Sequence, residues 1–257
     1  MLSNNPEELV HQSAQVLARF WFHLARSMNW RYKKWDDIWL TDSGSQGKII
    51  NNASMVRSID PSKSADIAGK LQDFYHGSQG GGYSIWDPWQ CLDLAKYGYS
   101  SHEIPLMIRP PVGEIPPLPE GFEIIEVEDE KKLALVEITL IEGWPVPTLN
   151  PSIPGTIWDK RILGDEAFRI WLGVFEERPV SCSHAFIDRD LIFVGPIATV
   201  PEMRRRGFGE AITWRATMAK PFLPAMLHAS ELGRPVYERI GYYSIAGLTL
   251  WNKDDRA

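Results

Sequence analysis

The chain has 257 residues, 44% of them hydrophobic and 23% charged, the composition of a folded protein that can bury a sizeable core as one large domain or two ordinary ones. No run approaches the roughly 18 to 20 apolar residues of a membrane span, the start MLSNNPEELV has no signal-peptide pattern, and Cys91 and Cys182 stand apart from any CxxC or Cys/His cluster; the expectation is a cytoplasmic protein with no membrane partner, no disulfide scaffold and no metal site. The net charge of −6 arises after residue 110, since residues 1–110 carry 11 basic and 11 acidic side chains and the rest 16 and 22, a balance that argues against nucleic acid and suits a cationic or amine-bearing substrate.

In chain order, a helix is predicted over Pro6–Ser27, where Val10, Ala14, Leu17, Ala18, Phe20 and Trp21 recur at helical spacing. Short strands are predicted near residues 38–41, 49–56, 83–86 and 104–108. Six of the 11 tryptophans fall in this part; such rings could line a hydrophobic ligand site, but packing into a small core is the commoner use and is the expectation. Pro110–Gly121, PPVGEIPPLPEG, has five prolines in twelve residues and can hold neither a helix nor a central strand. It reads as a linker between an N-terminal α/β domain, 1–109, and a second domain, 122–257.

The second domain opens with FEIIEVE, alternating as a strand, and a helix over residues 131–141 with Leu133, Val136, Leu140 and Ile141 on one face. Gly143 and four prolines up to Pro154 make the next stretch a long loop. Three strands joined by tight turns come after it, RIWLGVFEE, RPVSCSHAFID and LIFVGPIATV. A glycine-rich turn, a helix near 209–219, a strand near 225–229, a short helix near 236–240 and a strand ending near Trp251 complete an α+β plan with a mixed sheet.

Chemistry concentrates in GPIATVPEMRRRGFGEAITWRAT. A strand ends at Pro201, which cannot donate to the ladder, and Arg204-Arg205-Arg206-Gly207-Phe208-Gly209 stands directly before a helix. Glycines there let main chain approach a bulky anion, the first helical turn offers free N–H groups, and guanidinium groups match phosphate oxygens, which together describe a pyrophosphate cradle. A Walker A loop is absent, and the glycines follow an arginine after antiparallel strands, unlike a dinucleotide fingerprint.

In this order and spacing the chain resembles the GNAT superfamily of acetyl-CoA-dependent N-acetyltransferases, whose Q/R-x-x-G-x-G/A signature binds the pyrophosphate of the coenzyme. HASELGRPVYERIGYYS, about 30 residues on, resembles the later segment of that family, a strand followed by a helix carrying a Tyr and then a Gly-aromatic pair, here Gly241-Tyr242. The resemblance covers roughly Phe122 to Trp251. It implies a largely antiparallel sheet flanked by helices and splayed open between the strand ending near Thr199 and the one at 225–229, with pantetheine in the cleft. By position, Ile197, Ala198 and Thr199 would hold pantetheine and the thioester oxygen through main-chain groups, Arg204, Arg205, Arg206, Gly207, Phe208, Gly209 and Glu210 would contact phosphates, and Tyr237 would lie near the sulfur.

The activity so implied is transfer of an acetyl group to an amine of a small molecule or peptide, with acetyl-CoA as co-substrate; a non-catalytic acyl-CoA-binding module is the alternative. A tyrosine of pKa about 10 is protonated at neutral pH and can give its proton to a thiolate whose conjugate acid lies at about 8.5, so Tyr237 is the expected general acid. Glu142, before Gly143-Trp144-Pro145, is a candidate base or ammonium anchor, with His184, His228 and Glu231 as further candidates. The acceptor would be read mainly by residues 142–156 and by the first domain. Within 1–109, GYSIWDPWQCLDLAKYGYS and the closing IPLMIRP resemble a worn half of the same fold, whose glycine cluster at 77–82 has no arginine, so a tandem arrangement with one coenzyme site is expected.

Overall fold

The computed structural model describes residues 3, 5–45, 48–76, 81–144 and 153–254. By internal packing the described residues fall into two units, one from 3–106 with 245–254 and the other from 107–244. The boundary expected from sequence assigned everything after residue 121 to one domain, whereas residues 245–254 pack with the first unit. The architecture is α+β, as read from the sequence.

In the first unit, α1 (Pro6–Ser27) begins where the Asn5 carboxamide accepts the Glu7 N–H at 3.0 Å, with Pro6 in its first turn and Arg26 in its last. Its buried stripe includes Leu9, Val10, Leu17, Phe20 and Leu24, and it packs on β2 (Ile38–Asp42) and β3 (Asn52–Met55). The sheet of this unit runs β1-β2-β3-β4-β11-β5, with β1 (Arg31–Lys34), β4 (Tyr83–Asp87), β5 (Ser100–Arg109) and β11 (Tyr243–Lys253) completing it. Pairs β1–β2 and β2–β3 are antiparallel, and α2 (Ser64–His76) crosses over to make β4 parallel to β3. Tyrosines rather than tryptophans centre this core: Tyr75 and Tyr83 stack at 3.9 Å and the Tyr83 and Tyr99 hydroxyls meet at 2.5 Å.

In the second unit the strand order is β10-β9-β8-β7-β6. The strands are β6 (Phe122–Glu126), β7 (Phe168–Phe175), β8 (Arg178–Ile187), β9 (Ile192–Thr199) and β10 (Ala225–His228), antiparallel from β6 through β9. α3 (Glu130–Gly143) follows β6 and packs on β8 and β9, while α4 (Phe208–Thr217) crosses from β9 to a parallel β10, and α5 (Arg234–Ile240) precedes β11. α3 starts at Asp129, whose carboxylate accepts the Lys132 N–H at 2.8 Å. Residues 110–121 carry no regular structure apart from a turn, as their prolines require.

Candidate functional site

The site begins where two strands part. β9 and β10 are in register only at Ile192↔Ala225 and Phe193↔Met226, although β9 continues for six more residues. On its other edge β9 stays paired with β8 to Thr199, and the Val200 N–H donates to the Val180 carbonyl at 3.0 Å. Alternation along a strand then turns the N–H groups of Ile197 and Thr199 toward the edge that β10 has left, and that of Ala198 toward β8. The splay expected from the resemblance is therefore present, with two main-chain donors along its open side.

Beyond β9 a short 3-10 turn, Pro201–Met203, redirects the chain into the arginine-glycine segment. Arg205 has φ +61° and Gly207 φ +85°, and Gly207 is the N-cap of α4 with no side chain capping it. The first main-chain bond of the helix runs from the Ala211 N–H to the Gly207 carbonyl at 3.0 Å, so the N–H groups of Phe208, Gly209 and Glu210 have no acceptor within the helix. A Cβ at Gly207 would approach Pro119 to 3.2 Å and one at Gly209 would meet the Thr199 hydroxyl at 3.0 Å. The bare Cα of Gly209 lets the helix start close on the strand tip, and that of Gly207 accommodates both φ +85° and the neighbouring Pro119.

The side chains divide their work differently from the sequence expectation. Arg204 donates through Nε to the Thr199 carbonyl at 3.2 Å and through Nη2 to the Gly143 carbonyl at 2.8 Å. Its guanidinium thus ties the strand tip to the end of α3. Arg206 lies over the rings of Phe175 (4.4 Å) and Phe208 (5.3 Å). Phe208 is buried in stacked contact with Phe122 at 4.5 Å, and Glu210 pairs with Arg239 of α5 at 3.0 Å, so both present only main chain to a ligand. Arg205 is exposed, and no ion pair or hydrogen bond to the described residues holds it.

Gly143 is the last residue of α3, where the sequence suggested only a helix breaker. A Cβ there would lie 2.9 Å from the Ala198 Cβ and 3.0 Å from the backbone of Thr199, so the helix end touches the strand tip through bare Cα. Glu142, one residue earlier, is exposed beside this contact. Of the stretch 142–156 expected to read an acceptor, residues 145–152 lie outside the described residues. Glu137 was not singled out from sequence: it is fully buried in α3 and accepts N–H bonds from Gly155, Ile157 and Trp158 at 2.6, 2.7 and 2.8 Å. Burial raises its carboxyl pKa, and the three N–H donors oppose that rise.

Tyr237 sits in α5, buried in a cluster with Trp214, Ile240 and Tyr242 against which Ile197 of β9 packs. Its ring leans on Gly233, where an added Cβ would be 2.7 Å from the phenol oxygen. Burial pushes its pKa up to about 12, so the phenol keeps its proton throughout the neutral range. His184, fully buried and stacked on Phe168 at 4.7 Å, and His228 both have their pKa lowered to about 3 by desolvation. His184 has no surface from which to reach an acceptor, and Glu231 is exposed. A hollow of about 430 Å³ lined by Glu126, Glu128, Asp165, Glu166, Arg169 and Lys220 lies at the other end of β7 from the arginine-glycine turn, and none of the candidate residues lines it. Among the described residues no cluster of three or more His, Cys, Asp or Glu side chains could hold a metal, and no helix is long and apolar enough to cross a membrane.

No protein-family model matches this sequence, and no curated protein matches it either. Solved structures do. A GCN5-related N-acetyltransferase from Kribbella flavida is similar over 93% of this chain and 95% of its own, with a TM-score of 0.66 at 14% identity. A GCN5-related N-acetyltransferase-like protein from Streptococcus suis 89/1591 is similar over 86% and 84%, with a TM-score of 0.55 at 14% identity. A tandem GNAT protein from the clavulanic acid biosynthesis pathway is similar over 86% and 79%, with a TM-score of 0.55 at 10% identity. Together with the strand order, the parting of β9 from β10 and the arginine-glycine turn before α4, these similarities show that the chain has the GNAT fold.

Proposed function

We propose that the second unit transfers an acetyl group from acetyl-CoA to an amine of a small-molecule or peptide acceptor. The observation that carries this reading is the turn between β9 and α4, where left-handed Gly207, three uncommitted helix N–H groups and exposed Arg205 adjoin a strand edge without a partner. A pyrophosphate suits that turn: the N–H groups of Phe208, Gly209 and Glu210 have no acceptor within the helix, Arg205 is exposed beside them, and the helix end favours negative charge.

Acetyl-CoA bound there supplies an activated acyl thioester. The chain's own part is to bind, orient and hold protons. Main-chain N–H groups of Phe208, Gly209 and Glu210 with the Arg205 guanidinium hold phosphate oxygens. Arg206 adds charge from its seat on Phe175, and Arg204 contributes by fixing the strand tip. Ile197 and Thr199 offer N–H groups to an extended amide-bearing arm and to the thioester oxygen, and Ala198 keeps that edge straight through its bond to β8. Tyr237 holds its proton toward the sulfur. With a pKa near 12, above a thiol at about 8.5, equilibrium leaves the proton on the phenol, so hydrogen-bond donation to a departing thiolate is the role best matched to its burial. Glu142 is exposed beside the strand tip, where a carboxylate attracts an ammonium.

The first unit reads as a worn copy of the same fold without coenzyme binding, making the protein a tandem. The test is release of free thiol from acetyl-CoA across a panel of polyamines, aminoglycosides and peptides with free N-termini. Thiol release with at least one amine and an acetylated product by mass spectrometry are expected. Acetyl-CoA binding with no thiol release for any amine would leave a non-catalytic acyl-CoA-binding module, and no binding at all would remove the coenzyme site.

A further inference from the structure

Arg109, the last residue of β5, has only 3% of its surface exposed, and no carboxylate among the described residues pairs with it. A guanidinium out of water needs its donors occupied. Main-chain carbonyls occupy them: Nε donates to Ile240 at 2.8 Å, Nη1 to Pro110 at 3.1 Å and Nη2 to Val112. Its Cζ stands over the Trp214 ring of α4 at 4.6 Å. A planar fork of this kind fixes several pieces of chain at once, which a point charge on a flexible stem does not.

Ile240 is the last residue of α5. Two other bonds close that helix end, from the Tyr242 N–H to the Tyr237 carbonyl and from the Gly241 N–H to the Glu238 carbonyl, both at 3.0 Å, with Gly241 at φ +100°. Arg109 takes the Ile240 carbonyl as well. A helix of seven residues has little stability of its own, so these ties decide where it sits. Tyr237 stands in that last turn. Its ring is buried with Trp214, Ile240 and Tyr242 and leans on Gly233, and its hydroxyl makes no hydrogen bond to the described residues. No polar partner holds the phenol oxygen, so its position follows that of the helix.

We infer that Arg109 is a positioning residue for Tyr237: by fixing the end of α5 it sets where the phenol proton is presented to the departing thiolate. This rests on the acetyltransfer reading. None of the hydrogen-bond partners of Arg109 lies within residues 204–210, so coenzyme binding does not depend on it. Arg109→Lys keeps the charge but not the fork, and Arg109→Met keeps an unbranched side chain with no donor.

The experiment measures circular dichroism, hydrogen exchange without ligand, acetyl-CoA binding by calorimetry and single-turnover transfer to the amine of the panel that releases thiol fastest. Both variants are made in the wild-type and in the Tyr237→Phe background. Circular dichroism should stay native, exchange across residues 234–242 should rise at least about threefold, and the Kd of acetyl-CoA should stay within about twofold. Transfer should slow about fivefold for Arg109→Lys and further for Arg109→Met, but no further than for Tyr237→Phe alone. In the Tyr237→Phe background the same substitutions should slow it less than about twofold, because no hydroxyl is left to misplace. An equal loss in both backgrounds, an unchanged rate, unchanged exchange, or a Kd that rises as far as the rate falls would each overturn the assignment. Failure of both variants to fold would overturn it too, by showing that Arg109 serves the whole unit. Wild-type protein that releases no thiol with any amine overturns the acetyltransfer reading, and the role of Arg109 falls with it. That failure is distinct because it is read with Arg109 intact.

Discussion

The crossover β3–α2–β4 of the first unit and the crossover β9–α4–β10 of the second share one topology, a strand, a helix and a parallel strand after antiparallel neighbours. They part at two places. β3 is in register with β4 at three of its four residues, whereas β9 meets β10 at two of eight. Asp60 precedes the short turn leading into α2, and its carboxylate accepts the Ser62 N–H at 2.9 Å, while α4 begins at Gly207 with no side-chain cap. One helix start already has its own anion, and that bond holds the Asp60 carboxyl below its ordinary range. The other leaves its donors for a ligand. On the proposed reading, phosphate binding turns on who satisfies the first helical N–H groups and whether the strand pair closes, not on the crossover itself.

The most severe way to break this contrast is Gly207→Glu, which adds negative charge at the start of α4 and forces a side chain onto a residue at φ +85° and against Pro119. Calorimetry should show no measurable acetyl-CoA binding while circular dichroism stays native; retained affinity would refute the cradle. Next is Tyr237→Phe in single-turnover transfer. A loss of about 10² to 10⁴ would indicate full proton transfer. A loss of about tenfold to a hundredfold would match hydrogen-bond donation by a phenol whose pKa is near 12. A rate within about threefold of wild type would remove Tyr237 from the chemistry.

Acid should then weaken the second unit. His184 and His228 have folded-state pKa values of about 3, so their stability contribution is complete above about pH 6.5, the unfolded value, and is lost as pH falls toward 3. Denaturant melts across that window should show falling stability, with exchange rising first within residues 107–244. The smallest effect sharpens the contrast from the other side. Asp60→Ala should lower the melting temperature slightly and leave acetyl-CoA affinity unchanged at one coenzyme per chain. Two equivalent coenzyme sites would show that the first unit is not the closed half of the pair.

Periodicity made most of this fold legible. α1 spans the predicted residues, and the three consecutive strands of the second unit are where alternation put them, because each buries one face of a regular element. β1 was missed since Arg31–Lys34 is exposed at every residue and has no apolar alternation. α2 was passed over although Ile67, Ala68, Leu71 and Tyr75 form a buried stripe, which Gly69 and the preceding Pro61 interrupt. At the site, glycine spacing revealed the turn, but the partners of Arg204 are carbonyls from two other elements and could not be read locally. Glu137 was invisible for the same reason, since its burial makes sense only with donors 18 to 21 residues away. His184 looked like a reachable base until the rings of Phe168, Trp158 and Phe193 closed around it.

The parting of β9 from β10 bears on how the protein behaves when warmed. Along the opened edge the ladder lacks rungs that an ordinary sheet would have, and a coenzyme arm that supplied them, as the proposed function requires, would bind the folded chain alone. Thermal resistance would then be a function of metabolite supply: at a coenzyme concentration about 100 times its Kd, the folded state would gain about 2.7 kcal/mol over the unfolded one. For a chain of this length that corresponds to roughly 2 to 4 °C per kcal/mol in Tm, so a melting curve recorded against rising acetyl-CoA reports occupancy before any acceptor is known.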